Sequence, residues 1–173
     1  KIFPLDSEHF SLKRLFNLYN YDELKKIYIT ASGGPFFKNK FNEIKNISFK
    51  QAKNHPKWKM GYKNSIDSAT LVNKCLELIE AHYLFNLPYD KLGMLIHPEA
   101  LVHSIIEYNN YTSVMNYFYH DMYIPLFNFF SESINEKNYP ILKCNYDFKK
   151  NSSLNFYKPS ITQFPILKVF NQI

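Results

Sequence analysis

Short apolar elements separated by polar breaks divide the chain. Lys26–Ser32 (KIYITAS) is dense in β-branched and aromatic side chains, which predicts a buried strand, and Gly33–Pro35 stops it. Leu92–His97 (LGMLIH), Leu101–Tyr108 (LVHSIIEY) and Ser113–Tyr119 (SVMNYFY) predict three further strands, with NNYT fitting a hairpin turn between the last two. From about Ser68 to Phe85 the spacing is that of an amphipathic helix, opened by Asp67 or Ser68 as a cap. Lys1–Leu5 (KIFPL) is a short apolar run ending in a turn or strand end at DSEH, and LKRLFNLYNYDELKK after it is helical or loop-like. FNEIKNISFKQAKNH shows helical spacing in pieces, and His55–Gly61 (HPKWKMG) is a loop. MYIPLFNFF predicts a short helix, Ser131–Asn155 is weakly patterned, and YKPSITQFPILKVF predicts a turn followed by the start of a helix. The class is therefore α+β, a single layered domain with helices packed on a mixed or antiparallel sheet.

Composition narrows this picture without changing it. With 46% apolar and 18% aromatic residues, the 173-residue chain can bury a substantial core. No uncharged apolar run is long enough to span a bilayer, and KIFPLDSEHF lacks the apolar length of a signal peptide, so a soluble protein is expected. A start at Lys1 rather than Met points to a processed, trimmed or partial chain. The net charge of +6 raises the question of an anionic ligand or a nucleic acid. There is neither an arginine cluster nor an aromatic–basic repeat, and the abundance of Lys, Asn, Ile, Phe and Tyr fits an AT-rich genome with lysine as solubiliser, so no nucleic acid partner is expected. Cys75 and Cys144 are far apart and lack metal-type spacing, which suits a reducing compartment, with Cys75 a small buried side chain.

Candidate chemistry clusters on the helix. Its N-terminus offers unpaired N–H groups and a positive dipole to a phosphate, with Ser68 to donate and Lys74 to add charge. Asn73 and Glu77, four apart, share a face. A capped surface helix with solvated polar groups accounts for the same residues. Asp6 and Glu8, two apart in PLDSEHF, point the same way if that segment is extended; with Glu77 they form an oxygen-rich candidate site for magnesium or manganese. A solvated acidic turn is the plain alternative. In TASGGPF, Ser32 ends a strand before two glycines that let backbone N–H groups approach a ligand. HPKWKMG holds the lone tryptophan, Trp58, in a loop able to close over a ligand or simply to pack. His9, His82, His97, His103 and His120 lack zinc-type spacing and read as packing or surface residues.

DSEH, TASGGPF, HPKWKMG, IDSATLVNKCLELIEAHYLF and IHPEALVHSIIEY occur in this order, and together they resemble 1-deoxy-D-xylulose 5-phosphate reductoisomerase from Phe3 to about Val169. Cys75 stands where the family usually shows glycine, and His120 where it usually shows proline. The resemblance implies NADPH-dependent isomerisation and reduction of the sugar phosphate to 2-C-methyl-D-erythritol 4-phosphate, in non-mevalonate isoprenoid synthesis. It implies that residues 1–173 are the central catalytic domain, the last stretch leading into a C-terminal helical domain. The chain's four glycines admit no G-x-G-x-x-G, so the family's NADPH domain is expected outside this sequence. Asp6, Glu8 and Glu77 would ligate the divalent cation; Ser32, Ser68, Asn73 and Lys74 would bind the phosphate; Ser7 and His55 would contact substrate. Trp58 and Met60 would lie on a closing flap, with Met60 and Gly61 towards NADPH. A homodimer is implied, and a plastid-like organelle (apicoplast) or bacterial cytoplasm would suit the pathway. The alternative is a non-enzymatic remnant that dimerises and binds metal and sugar phosphate without turnover.

Overall fold

A computed structural model of the chain describes residues 2–19, 23–39, 43, 47–48, 61–134 and 153–170. Helix α1 (Ser7–Leu18) comes first. Asp6 caps it: its Oδ1 accepts the N–H groups of Glu8 and His9 at 3.1 and 3.3 Å, satisfying two donors that the first turn leaves open. DSEH is thus a helix start and not an extended or turn segment, because Asp followed by Ser-Glu is better satisfied as a cap than as a strand end. Strand β1 (Leu24–Ala31) lies inside a four-stranded sheet of order β2–β1–β3–β4. β2 (Leu92–Ile96) runs parallel to β1, with Ile27 opposite Leu92 and Ala31 opposite Ile96. β3 (Val102–Tyr108) pairs antiparallel on β1's other side, and β4 (Ser113–Tyr117) antiparallel to β3. The sheet is mixed, and the predicted strands all form, although β2 and β3 are separated by β1.

A parallel neighbour requires a crossover, and helices α2 (Tyr62–Thr70) and α3 (Val72–Phe85) lie on it. α1 packs on β3 and β4, and α3 on β1 and β2. Ile27, Ile29 and Ile106 are fully buried between these layers, each worth about 1.5–3 kcal/mol of apolar transfer. Beyond β4 lie α4 (Tyr123–Ile134) and α5 (Ile166–Phe170). The C-terminal stretch packs back onto this domain: Tyr157 and Ile96 exchange backbone hydrogen bonds at 2.8 and 2.9 Å, and Phe164 and Leu167 join the core.

The helix predicted over Ser68–Phe85 is in fact two. Leu71 adopts φ 62° and ψ 11°, the left-handed region, and its N–H bonds back to the Ser68 carbonyl at 3.3 Å. That conformation costs a non-glycine residue roughly 1–2 kcal/mol. Burying the Leu71 side chain, only 1% exposed, offsets it by about 2 kcal/mol. Asp67 and Ser68 therefore sit in the last turn of α2 and cap nothing; Asp67 instead pairs with Lys63 at 2.5 Å.

Candidate metal and anion site

The cap of α1 and the first turns of α3 meet beside the sheet. Asp6, Glu8 and Glu77 each bring a carboxylate oxygen to within 4.8 Å of the other two. Glu8 is oriented by Ser7, whose hydroxyl donates to Glu8 Oε2 at 2.5 Å, and by the Lys74 ammonium at 2.8 Å from Oε1. Lys74 also donates to Glu77 Oε2 at 2.6 Å, and Asn73 Nδ2 to Glu77 Oε1 at 2.5 Å.

The electrostatics follow from burial and crowding. Burial, then the Glu8 charge, pushes the Asp6 carboxyl up to about 6. Burial also raises Glu77 well above the ordinary range, with Glu8 and Asp6 adding to the rise and Lys74 opposing it. Glu8 goes the other way. Burial alone would raise it, but Lys74, His103 and the hydrogen bonds from Lys74 and Ser7 outweigh that and hold it at about 2. Burial would discharge the Lys74 ammonium, yet Glu77, Glu8 and Asp6 together hold it charged, above its usual range. Three carboxylates thus share one ammonium. All-oxygen donors at this spacing, with repulsion that Lys74 leaves partly uncompensated, fit a hard dication such as magnesium or manganese.

Lys74 and Asn73, expected to face a phosphate, thus engage the carboxylates. A nearly buried ammonium needs counter-charge within hydrogen-bond reach, and Glu8 and Glu77 provide it. The candidate anion end lies around Leu71. No side chain caps α3 there, so its first N–H groups lack helical acceptors. Gly33 and Gly34 leave β1 with φ of 84° and 62°, which brings the Ser32 loop against the α2–α3 junction: a Cβ on Gly34 would lie 2.9 Å from Ala69 Cα and 3.1 Å from the Ser68 carbonyl. Ser32 Oγ accepts the Gly34 N–H at 3.4 Å. Gly61 is exposed at the N-terminus of α2. His55, Trp58 and Met60 lie outside the described residues, as does Cys144, whereas Cys75 is buried as expected.

Two histidines read as packing or surface residues belong to the surroundings of this site. His9 Nε2 donates to the Glu77 carbonyl at 2.8 Å, while Nδ1 faces Asp6 at 3.4 Å and Glu80 at 3.7 Å, tying the two carboxylate-bearing helices together. Its adjacency to Glu8 in DSEH was the available signal. His103, near Glu8, stacks on Phe118 at 3.9 Å, and burial pushes it down to about 4 against the pull of the Glu8 charge.

A family model described as the 1-deoxy-D-xylulose 5-phosphate reductoisomerase C-terminal domain matches residues 2–85. The protein of that name from Sulfurihydrogenibium sp. (strain YO3AOP1) is 46% identical over 170 residues, covering 98% of this chain and 44% of the relative. One from Clostridium kluyveri is 43% identical over 98% of this chain and 43% of its own length. Among solved structures, DOX-P reductoisomerase in complex with NADPH, fosmidomycin and magnesium superposes with a TM-score of 0.87 at 34% identity, covering 99% of this chain and 44% of that one. The Zymomonas mobilis enzyme in complex with NADPH does so with a TM-score of 0.83 at 35% identity, covering 98% of this chain and 42% of that one.

Proposed function

Because this chain belongs to the 1-deoxy-D-xylulose 5-phosphate reductoisomerase family, and spans 44% of the length of such a relative, we propose that it supplies the metal and sugar-phosphate centre of that enzyme. The reaction would be NADPH-dependent isomerisation and reduction of 1-deoxy-D-xylulose 5-phosphate to 2-C-methyl-D-erythritol 4-phosphate. The observation that carries this reading is the convergence of Asp6 and Glu8, at the start of α1, with Glu77 of α3, their carboxylate oxygens within 4.8 Å of one another.

Asp6, Glu8 and Glu77 would hold magnesium or manganese. Bound there, the cation supplies Lewis acidity towards neighbouring substrate oxygens. Ser32, Ser68 and the open N–H groups of α3 would bind the phosphate, joined by Asn73 and Lys74 once a cation takes over their carboxylate partners, fixing the substrate's far end so that its reacting carbons are oriented at the carboxylates. Ser7 and His55 would contact substrate. Trp58 and Met60 would exclude water for hydride transfer, and Met60 and Gly61 would lie towards NADPH, with most of that cofactor's site in parts of the family's length beyond the region matched. Exposed Met115, Tyr119, Met122, Tyr123, Leu126 and Phe130 along β4 and α4 support assembly as a homodimer. A plastid-like organelle or a bacterial cytoplasm would suit the pathway, and no helix among the described residues is long and apolar enough to cross a membrane.

Calorimetric titration tests the reading. The chain should bind fosmidomycin, the ligand of the solved relative, only with magnesium present, and Glu77→Ala should lose both. Fosmidomycin binding that is indifferent to magnesium and to Glu77→Ala would refute it.

A further inference from the structure

One side chain at the far end of the sequence gathers three main-chain carbonyls. Gln163 Nε2 donates to the carbonyls of Phe36 at 3.0 Å, Phe37 at 2.8 Å and Asn39 at 3.2 Å. An amide nitrogen has two hydrogens, so at least one of these bonds is shared. The carbonyls belong to the turn that follows Gly34, where that of Phe36 also accepts the Asn39 N–H at 3.0 Å. Phe37 is the link back to the site. A Cβ on Gly33 would lie 2.7 Å from Phe37 Cβ, so Phe37 packs directly on Gly33; Gly34 in turn abuts Ala69 and the Ser68 carbonyl.

We infer that Gln163 is a positioning residue for the anion end: through Phe37 it holds the Ser32–Gly34 loop against the α2–α3 junction. This rests on the roles proposed above for Ser32 and Ser68. Gln163 itself touches neither phosphate nor metal. Its own segment is anchored independently, by the Tyr157–Ile96 bridge, by Asn155 Nδ2 donating to Glu99 Oε1 at 2.7 Å, and by Phe164, 2% exposed, in the core. Removing the amide therefore leaves the segment docked while the loop loses its restraint. A purely structural contact would instead lower stability and every ligand affinity together.

The test uses the full chain, with magnesium alone and then fosmidomycin at saturating magnesium as calorimetric probes. Gln163→Ala should leave magnesium affinity unchanged and weaken fosmidomycin about tenfold, the effect of one lost hydrogen-bonding restraint. Gln163→Glu, isosteric but aiming a carboxylate at carbonyl oxygens, should weaken it further. Gln163→Arg, which keeps donors in reach, should recover the affinity. Unaltered fosmidomycin binding in Gln163→Ala, an equal loss of magnesium, or Gln163→Arg as weak as Gln163→Ala would each overturn the inference. Amide hydrogen exchange decides the loop claim whether or not fosmidomycin binds. The Gly33, Gly34 and Phe37 amides should exchange faster in Gln163→Ala, with α3 unchanged, and equal exchange rates overturn it.

Discussion

Lys74→Met replaces the ammonium that sits among the carboxylates with an uncharged side chain of similar length. Lys74 is 6% exposed and donates to Glu8 at 2.8 Å and to Glu77 at 2.6 Å. The displacement of Glu8 measures much of its effect. Holding that carboxyl at about 2 instead of 4.5 corresponds to about 3 kcal/mol of native stability at neutral pH, within the range known for breaking a buried ion pair. Glu77, already raised by burial, takes up a proton readily and adds less. In a domain of this size about 3 kcal/mol lowers the melting temperature by roughly 10 °C. Glu8's contribution is present above its unfolded value of 4.5 and lost as pH falls through about 2, so the gap between the two proteins should shrink in acid. Thermal unfolding followed by circular dichroism, in EDTA and then with magnesium, reads this directly. Magnesium should recover more stability in Lys74→Met than in the unaltered chain, because it replaces the missing positive charge. An unchanged melting temperature in EDTA, or equal magnesium stabilisation of both proteins, would refute the charge-sharing account.

The same crowding makes cation binding sensitive to pH. Asp6, raised to about 6, carries below that pH a proton that a cation must displace, so magnesium affinity should fall as pH drops through 6, towards about tenfold per pH unit; calorimetry showing constant affinity across this interval would contradict it. Gly34→Ala should destabilise the chain by about 2–3 kcal/mol, since alanine at φ 62° is strained and its Cβ would meet the Ala69 backbone at 2.9 Å; a denaturant midpoint equal to that of the unaltered chain would show that the loop is not packed as described.

Strand positions were legible because β-branched and aromatic runs such as KIYITAS and HSIIEY leave few alternatives; whether the sheet was mixed or antiparallel stayed open, and the parallel β1–β2 pairing settles it. What periodicity missed is instructive. Leu71 keeps the apolar spacing of a continuous helix, so a break made by its backbone dihedral leaves no trace in the pattern. Asp6 and Glu8 come together as expected, but by capping a helix, since an Asp at a helix start and one in a strand spell alike. The carboxylate set was readable from motifs. That Lys74 also bonds Glu8 and Glu77 was not, because the burial that brings an ammonium to a carboxylate is decided by tertiary packing. His9 and Gln163 act through carbonyls 68 residues and more than 120 residues away in sequence, and only His9, next to Glu8 in DSEH, leaves a local signal.

The order of strands also governs how this protein must be made. β1, buried and apolar, finds both neighbours late: Ile27 pairs with Leu92 on one side and with Ile106 on the other. A ribosome releasing the chain from its N-terminus therefore exposes Ile27 and Ile29 with two open strand edges until Leu92–Ile96 has emerged, and with one until Val102–Tyr108 follows. At the usual pace of synthesis that interval lasts several seconds, on the order of 5–20 residues per second. Long-range pairing of this kind folds slowly and leaves an adhesive edge in the meantime. Asp6 and Glu8 emerge still earlier and wait for Glu77, which itself precedes both partners of β1, so all three carboxylates leave the ribosome before the sheet that supports them can close.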